Sequence, residues 1–410
     1  RSSTTINGGT LRLGTSASLR DNGDVVVNSG TVFDLGGNNE TVGSIAGAGT
    51  IRSSVTGGLV LTMSYNNPTN TTFSGLIENG SATSIGLYKN GAGSTLTLSS
   101  ANTYTGLTTI SQGIIRVKHA NGLGATSAGT VVSDGASVQL DGGITLAAEP
   151  LTLNGLGGGF GALRNMTGTN TITGAITLGT PAVRMNSDAG VLVIAGSVAN
   201  PIGLTFGGVA NHEVSGAISG TSFVTKDGAG SLVLRGNNSY SGLTTVSVGK
   251  VFVESANALG SIGTGTTVAS GASLQVRGGV TVAAEPLTLN GSMVAGDGAL
   301  ASTSGVNTWT GAVTLGSAAV VSSDADELRI SGGISTSGFL LKSGKTGGLG
   351  HVKMSGIISG SGMVEKVGDG ILTLSGANNY TGYTKVSAGI LALGANEVIP
   401  NVSAFYFNGG

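Results

Sequence analysis

Few side chains in this sequence have the types and spacing that chemistry demands. Histidine occurs only as His119, His212 and His351, and no two share a repeat position, so paired imidazole metal ligands have no basis. A Ser-His-Asp arrangement needs one of them beside a nucleophile and an orienting carboxylate. His212-Glu213 is the one close His-acid pair, and it reads as an exposed turn. The densest acidic group is Asp324, Asp326 and Glu327. On a strand, Asp324 and Asp326 would face the same side, as a glycosidase-like carboxylate pair or a calcium site requires. Asp188, however, stands at the Asp324 position of another copy of the same sequence, which marks a turn feature. Gly344-Lys345-Thr346 has the ending of a phosphate-binding loop, but the first glycine would have to fall at Phe339, and no helix follows. Gly296-Asp297-Gly298 and Gly368-Asp369-Gly370 lack the flanking pattern of a calcium-binding nonapeptide. Cysteine is absent, which removes disulfides, thiolate zinc and thiol catalysis together. The expectation is a protein that is not an enzyme, with no catalytic residue, no metal ligand and no cofactor.

The elements that carry these residues are repeats. The stretch KDGAGSLVLRGNNSYSGLTTVSVGKVFV, from Lys226 to Val253, occurs earlier from Lys89 and later from Lys366, and a half copy, TTINGGTLRL, opens the chain. Alignment brings Tyr104, Tyr240 and Tyr380 into register, and likewise Gly106, Gly242 and Gly382. The apolar positions follow as Ile6, Ile110, Val246 and Val386, then Leu13, Val117, Val253 and Leu393. Between the copies lie GTVVSDGASVQLDGGITLAAEPLTLNG and its near duplicate GTTVASGASLQVRGGVTVAAEPLTLNG, with Glu149-Pro150 and Glu285-Pro286 at matching positions. The units run roughly over 1-87, 88-223, 224-363 and 364-410, in one continuous array. The first and last residues fall inside repeats, which predicts a segment of a longer array.

The pattern of Lys, a glycine pair, Leu-x-Leu, Asn-x-Tyr-x-Gly, Thr-x-Val and a final glycine and strand resembles the autotransporter-associated β-strand repeat, also called the passenger-associated transport repeat. That resemblance implies a right-handed parallel β-helix at the surface of, or secreted from, a Gram-negative-type bacterium by a type V pathway. It does not imply an enzyme.

Composition agrees with a β-solenoid. Hydrophobic residues make up 39% and charged residues 10%, with Gly 75 and Pro 6. Such a chain can bury a core of stacked aliphatic strands joined by tight turns. The net charge of -1 gives no electrostatic pull toward nucleic acid or anionic lipid. No signal peptide pattern opens the sequence, no apolar run is long enough for a membrane helix, and the C-terminal segment leads into no amphipathic barrel strands. Membrane insertion by this segment is not expected, and any translocator or anchor is expected outside it.

Leu232 and Leu234, or Leu372 and Leu374, recur at the strand period of two. Glycine, Asn, Asp and Ser clusters interrupt every few residues, so helices have no room; the best place for a single helical turn is ESANALGS near Ala256. Tandem antiparallel sandwiches are the rival architecture. Closely spaced breaks, few aromatics and missing linkers favour the all-β, right-handed parallel β-helix. At roughly 20 to 25 residues per rung and about 4.8 Å between strands, some 17 to 20 rungs and a rod of about 80 to 95 Å follow. Asparagines at corners, such as Asn237 and Asn378, are positioned for side-chain ladders.

Residues present in every copy serve the architecture, and function belongs where one copy departs. Tyr104, Tyr240, Tyr380, Lys89, Lys226 and Lys366 therefore read as corner or packing residues. The departures are Tyr65-Asn66-Asn67-Pro68-Thr69, the loop from Gly344 to Gly350, and Trp309, which replaces Ile172. The expected function is a structural or adhesive extracellular repeat that meets a receptor or surface glycan. The alternatives are a carbohydrate-active or glycan-binding β-helix, and a filament subunit that self-associates through open rung ends.

Overall fold

The computed structural model describes residues 3–64, 70–180, 182–293 and 296–407, so the Tyr65–Thr69 departure lies outside the described residues. The protein is an all-β solenoid of about 18 turns, in two compact units, Arg1–Asn211 and His212–Gly410. Among the described residues the one helical piece is a short 3-10 turn at Gly157–Gly159. The segment around Ala256 makes reverse turns instead, with Ala258 N–H donating to Ser255 O at 3.2 Å and Gly260 N–H to Asn257 O at 3.1 Å. Glycines and small polar residues end each turn before helical bonds can propagate.

Each rung lays its strands parallel on those of its neighbours. In the second unit Val224–Lys226 pairs with Thr244–Val246, which pairs with Thr266–Val268, so partners are 20 and then 22 residues apart. In the first unit Thr108, Thr130, Leu151 and Ile176 form the corresponding series. Because side chains alternate across a strand, this register stacks like on like. Ile110, Val132, Leu153 and Leu178 make one interior column of the first unit, and Val246, Val268, Leu289 and Leu315 its equivalent in the second. All eight are buried, and each is worth about 1.5–3 kcal/mol relative to exposure.

Corners need a different device, because the chain leaves the ladder there. Asn102 accepts from Ile77 N–H at 2.9 Å on one neighbouring rung and donates to Gly122 O at 2.7 Å on the other. Asn238 does the same with Ile218 N–H, 2.8 Å, and Ala258 O, 2.6 Å; Asn378 with Ile358 N–H, 2.8 Å, and Val398 O, 2.7 Å. The expected side-chain ladder is therefore corrected at Asn378 and has one step at Asn237, whose side chain bonds that of Asn257 one rung on. Asn378 and Asn238 bind main chain, since a side-chain amide can satisfy a donor and an acceptor at once. Asn237 is exposed and accepts instead from Asn257 Nδ2 at 2.7 Å.

Gly106, Gly242 and Gly382 recur for a steric reason. A Cβ on them would come within 2.5, 2.2 and 2.3 Å of the preceding rung's backbone, and no side chain fits there.

Candidate functional site: a lateral cleft

The recurrent tyrosines and lysines point inward. Tyr104, Tyr240 and Tyr380 are fully buried, with hydroxyls 2.7, 2.7 and 2.6 Å from Thr108, Thr244 and Thr384 Oγ1. Burial pushes the pKa of all three phenols up. Lys89, Lys226 and Lys366 are each 1% exposed. Lys89 Nζ donates to Gly91 O at 2.6 Å and Ser94 Oγ at 2.7 Å, and Lys366 Nζ to Val367 O and Gly368 O, both at 2.6 Å. Lys226 Nζ donates to Gly228 O. Each ammonium thus clasps the turn that follows it. Burial lowers the Lys89 pKa to about 8 and lowers that of Lys366. With so little exposure, none of these amines meets a substrate.

Glu149 and Glu285 extend the interior network. Both are 2% exposed. Thr130 donates to Glu149 Oε1 at 2.7 Å, and Thr266 to Glu285 Oε1 at 2.8 Å. Thr130 is stacked on Thr108 and Thr266 on Thr244, so tyrosine, two threonines and a glutamate occupy successive interior corners in both units. Burial pushes each carboxyl up to about 7, against the opposing threonine bond. The repeated Glu-Pro pair was the sequence signal; its burial was not readable.

The histidines and acids flagged for catalysis do not converge. His212 is fully buried on the strand Asn211–Val214, which corrects the exposed-turn reading. Strand alternation turns Glu213 outward to Arg235, 2.6 Å away, so the His-acid pair straddles two faces. His119 Nδ1 accepts from Asn121 N–H at 3.1 Å, and His351 Nε2 lies 2.7 Å from Thr373 Oγ1. Asp324 pairs with Lys345 at 2.6 Å, Asp326 accepts from Gly305 N–H at 2.6 Å, and Glu327 pairs with Arg329 at 3.1 Å. Each acid is held by its own partner in or beside a turn. Among the described residues no group of three or more His, Asp or Glu is placed to hold a metal. Trp309 is fully buried, with Nε1–H donating to Glu285 O at 3.1 Å. No helix among the described residues is long and apolar enough to cross a membrane.

A cleft open to solvent lies on the side of the first unit. It has a volume of about 430 Å³ and is bordered by Ile114, Asp134, Gln139, Phe160 and Arg164, with glycines 93, 113, 135 and 158 along it. Phe160 is 60% exposed, and the Arg164 guanidinium lies 5.0 Å from its ring. Arg164 is engaged by Asp188 through Nε at 2.7 Å. Gln139 is 2% exposed and lines the cleft. Its Oε1 accepts from Arg116 Nε at 3.1 Å and Nη2 at 2.9 Å, which fixes the amide orientation, and among the described residues Nε2 makes no hydrogen bond.

The second unit fills the matching place. Gln275, the counterpart of Gln139, donates from Nε2 to Asp297 Oδ2 at 3.1 Å. Lys250, at the position of Ile114, reaches Asp297 at 2.7 Å, and Lys345 reaches it at 2.9 Å. Burial opposes ionisation of Asp297, yet the two lysines outweigh it and hold its pKa below the ordinary carboxylate range. The Gly344–Gly350 departure thus supplies an internal clasp through Lys345. Sequence reading missed Phe160, Gln139 and Asp297; the mismatch of GLGGGFGALRN with GSMVAGDGALAS was their signal.

Comparison with known proteins matches the repeats. The passenger-associated-transport-repeat family model matches residues 87–117, 224–251 and 364–393. The adhesin BmaC autotransporter of Brucella suis biovar 1 (strain 1330) is 31% identical over 392 residues, 92% of this chain and 9% of that protein. This chain therefore spans about a tenth of the length of that curated relative. No solved structure matches.

Proposed function

We propose that this chain, whose residues 87–117, 224–251 and 364–393 match the passenger-associated-transport-repeat model and which is similar to an autotransporter adhesin over 92% of its length, is an adhesive segment of an autotransporter passenger displayed at a Gram-negative cell surface. The observation that carries this reading is the parallel stacking of the repeats. It spends the recurrent polar residues on the interior and leaves function to the sides. The similarity to a protein named as an adhesin supports the same reading. A structural role is supported by the separate pairing of Asp324, Asp326 and Glu327.

The two compact units act, in this reading, as one continuous array over residues 1–410. Electron microscopy of the purified chain tests that, with particles of one fixed length expected and growing fibres pointing to self-association through rung ends. The adhesive role is tested by coating inert beads with the chain and counting attachment to host epithelial cells and matrix. Attachment no greater than that of uncoated beads would sink the adhesive role. Polysaccharide turnover abolished by Asp324→Ala or Asp326→Ala would replace it with an enzyme.

A further inference from the structure

We propose that the lateral cleft of the first unit is a subsite for a neutral saccharide, with one pyranose ring against Phe160 and its hydroxyls on Gln139 Nε2 and the Asp134 carboxylate. This rests on the adhesive reading above and names the ligand class that one face would take.

Three observations carry it. The first is an amide donor prepared and unused. Gln139 is almost wholly buried and lines the cleft, its oxygen is taken by Arg116, and among the described residues its Nε2 donates to no protein acceptor. Nε2 is not among the buried polar atoms without a partner, so water can reach it in the cleft, and a ligand oxygen would take the place of that water. The second is the other copy. At Gln275 the same donor is satisfied by Asp297 of the chain itself, within a loop one residue longer than its counterpart. Where the chain supplies its own oxygen the amide is satisfied, and where glycines 157 and 158 stand in place of that loop the cleft stays open. The third is Phe160, an aromatic ring set at the edge of the cleft and mostly exposed. Exposed aromatic area beside a few directed polar groups is the composition of a small-ligand site, and about 430 Å³ is within the usual range for one.

Charge decides between sugar classes. In the second unit the resident carboxylate is neutralised by Lys250 and Lys345. The first unit has Ile114 where Lys250 stands, and its Arg164 is already engaged by Asp188. Asp134 adds a negative group to the cleft wall. An acidic sugar would therefore meet the Asp134 carboxylate while Arg164 is turned to Asp188 and Arg116 to Gln139 Oε1, whereas hydroxyls can donate to Asp134 and accept from Gln139.

The test is calorimetric titration of the whole 410-residue chain with cellohexaose, maltohexaose and chitohexaose as neutral probes and oligogalacturonate as the acidic one. The expected result is saturable binding of at least one neutral oligosaccharide, weakened about tenfold or more by Phe160→Ala. Phe160→Ala should leave the thermal unfolding midpoint unchanged, because the ring is mostly exposed. Gln139→Met should also weaken binding, and its folding is checked separately by circular dichroism. The proposal is overturned if no neutral probe binds at millimolar concentration, if Phe160→Ala binds as well as the parent, or if oligogalacturonate alone binds. Beads coated with the parent chain separate the two readings. Cell attachment by a parent chain that binds no neutral saccharide sinks this site and spares the adhesive role, while failure of the parent beads to attach sinks that role itself.

Discussion

Segments 89–164 and 226–301 are two printings of one backbone course, and they differ by depth. Inside, the pairs Tyr104 and Tyr240, Thr108 and Thr244, Glu149 and Glu285, and Asn102 and Asn238 make the same bonds at nearly the same distances. On the lateral face Ile114 has become Lys250, Phe160 has gone, and Asp297 occupies the space that the first segment leaves open. A solenoid explains the division. Each interior group packs between the rungs on both sides, so any replacement must suit two neighbours at once, whereas a lateral loop answers mainly to its own turn. Divergence therefore collects on the sides.

One interior position breaks the rule, and changing it gives the largest expected effect. Trp309 fills the place of Ile172, and both side chains are fully buried. Trp309→Ala should cost about 3–5 kcal/mol, and Ile172→Ala about 2–5 kcal/mol. Guanidinium unfolding of the single variants measures both. A negligible cost for Trp309→Ala would show that the second unit tolerates a hole, and the interior would no longer be the constrained part.

The asparagine staples come next. Asn238→Ala leaves Ile218 N–H and Ala258 O, both formerly bonded to the side chain, without that partner. The loss should be about 2–4 kcal/mol, from two main-chain groups each in the lower part of the range of about 1–3 kcal/mol. Asn102→Ala should cost the same within error if the interiors are equivalent. Hydrogen exchange at the Ile77 and Ile218 amides reports the loss locally, and protection that survives substitution argues against the staple.

Much of this was legible beforehand because it depends on residue spacing. The Leu-x-Leu alternation placed Leu232 and Leu234 on strands, and the three aligned copies put Gly106, Gly242 and Gly382 where two backbones touch. Other features depend on what lies one rung away, some twenty residues distant in sequence. His212 looked like a turn residue because nothing local shows that its strand faces inward there. Asn237 was chosen over Asn238 because adjacent identical residues cannot be told apart without knowing which points into the corner. The cleft was illegible for the same reason. It is formed by the absence of an Asp297-like group over Gln139, and an absence shows only once the two copies are superposed in three dimensions.

The buried glutamates make the equivalence pH-dependent. The carboxyl of Glu149 faces Thr130 and lies near the Tyr104 hydroxyl, with Glu285, Thr266 and Tyr240 arranged alike. Because burial raises each pKa from the ordinary carboxylate value to about 7, the folded chain holds protons that the unfolded chain releases between about pH 4.5 and 7. Stability from these groups is complete below the lower value and falls as pH rises to the upper one. The expected loss is on the order of 1–3 kcal/mol per site across that window. Glu149→Gln and Glu285→Gln should each remove their share of the slope and stabilise the chain above pH 7. Denaturant midpoints at pH 5 and 8 measure this, and a rise in stability with pH would reverse the assignment.

The smallest effect belongs to the lateral charges, and it is the sharpest test of the division by depth. In the second unit Glu213, Arg235, Glu254 and Arg277 alternate in sign over successive rungs, with Arg235 2.6 Å from Glu213 and 2.7 Å from Glu254. Arg235 is 40% exposed in its side chain, so water and salt screen both contacts. Arg235→Ala should cost less than about 1 kcal/mol, and less again in molar salt. The first unit offers a weaker version in Lys118 and Asp141, 3.3 Å apart, where Lys118→Ala should cost less still. If unfolding in low and high salt instead gave Arg235→Ala a cost comparable to that of an asparagine staple, the outer ladder would be holding the rungs together, and divergence on the lateral face could no longer be attributed to freedom from structural duty.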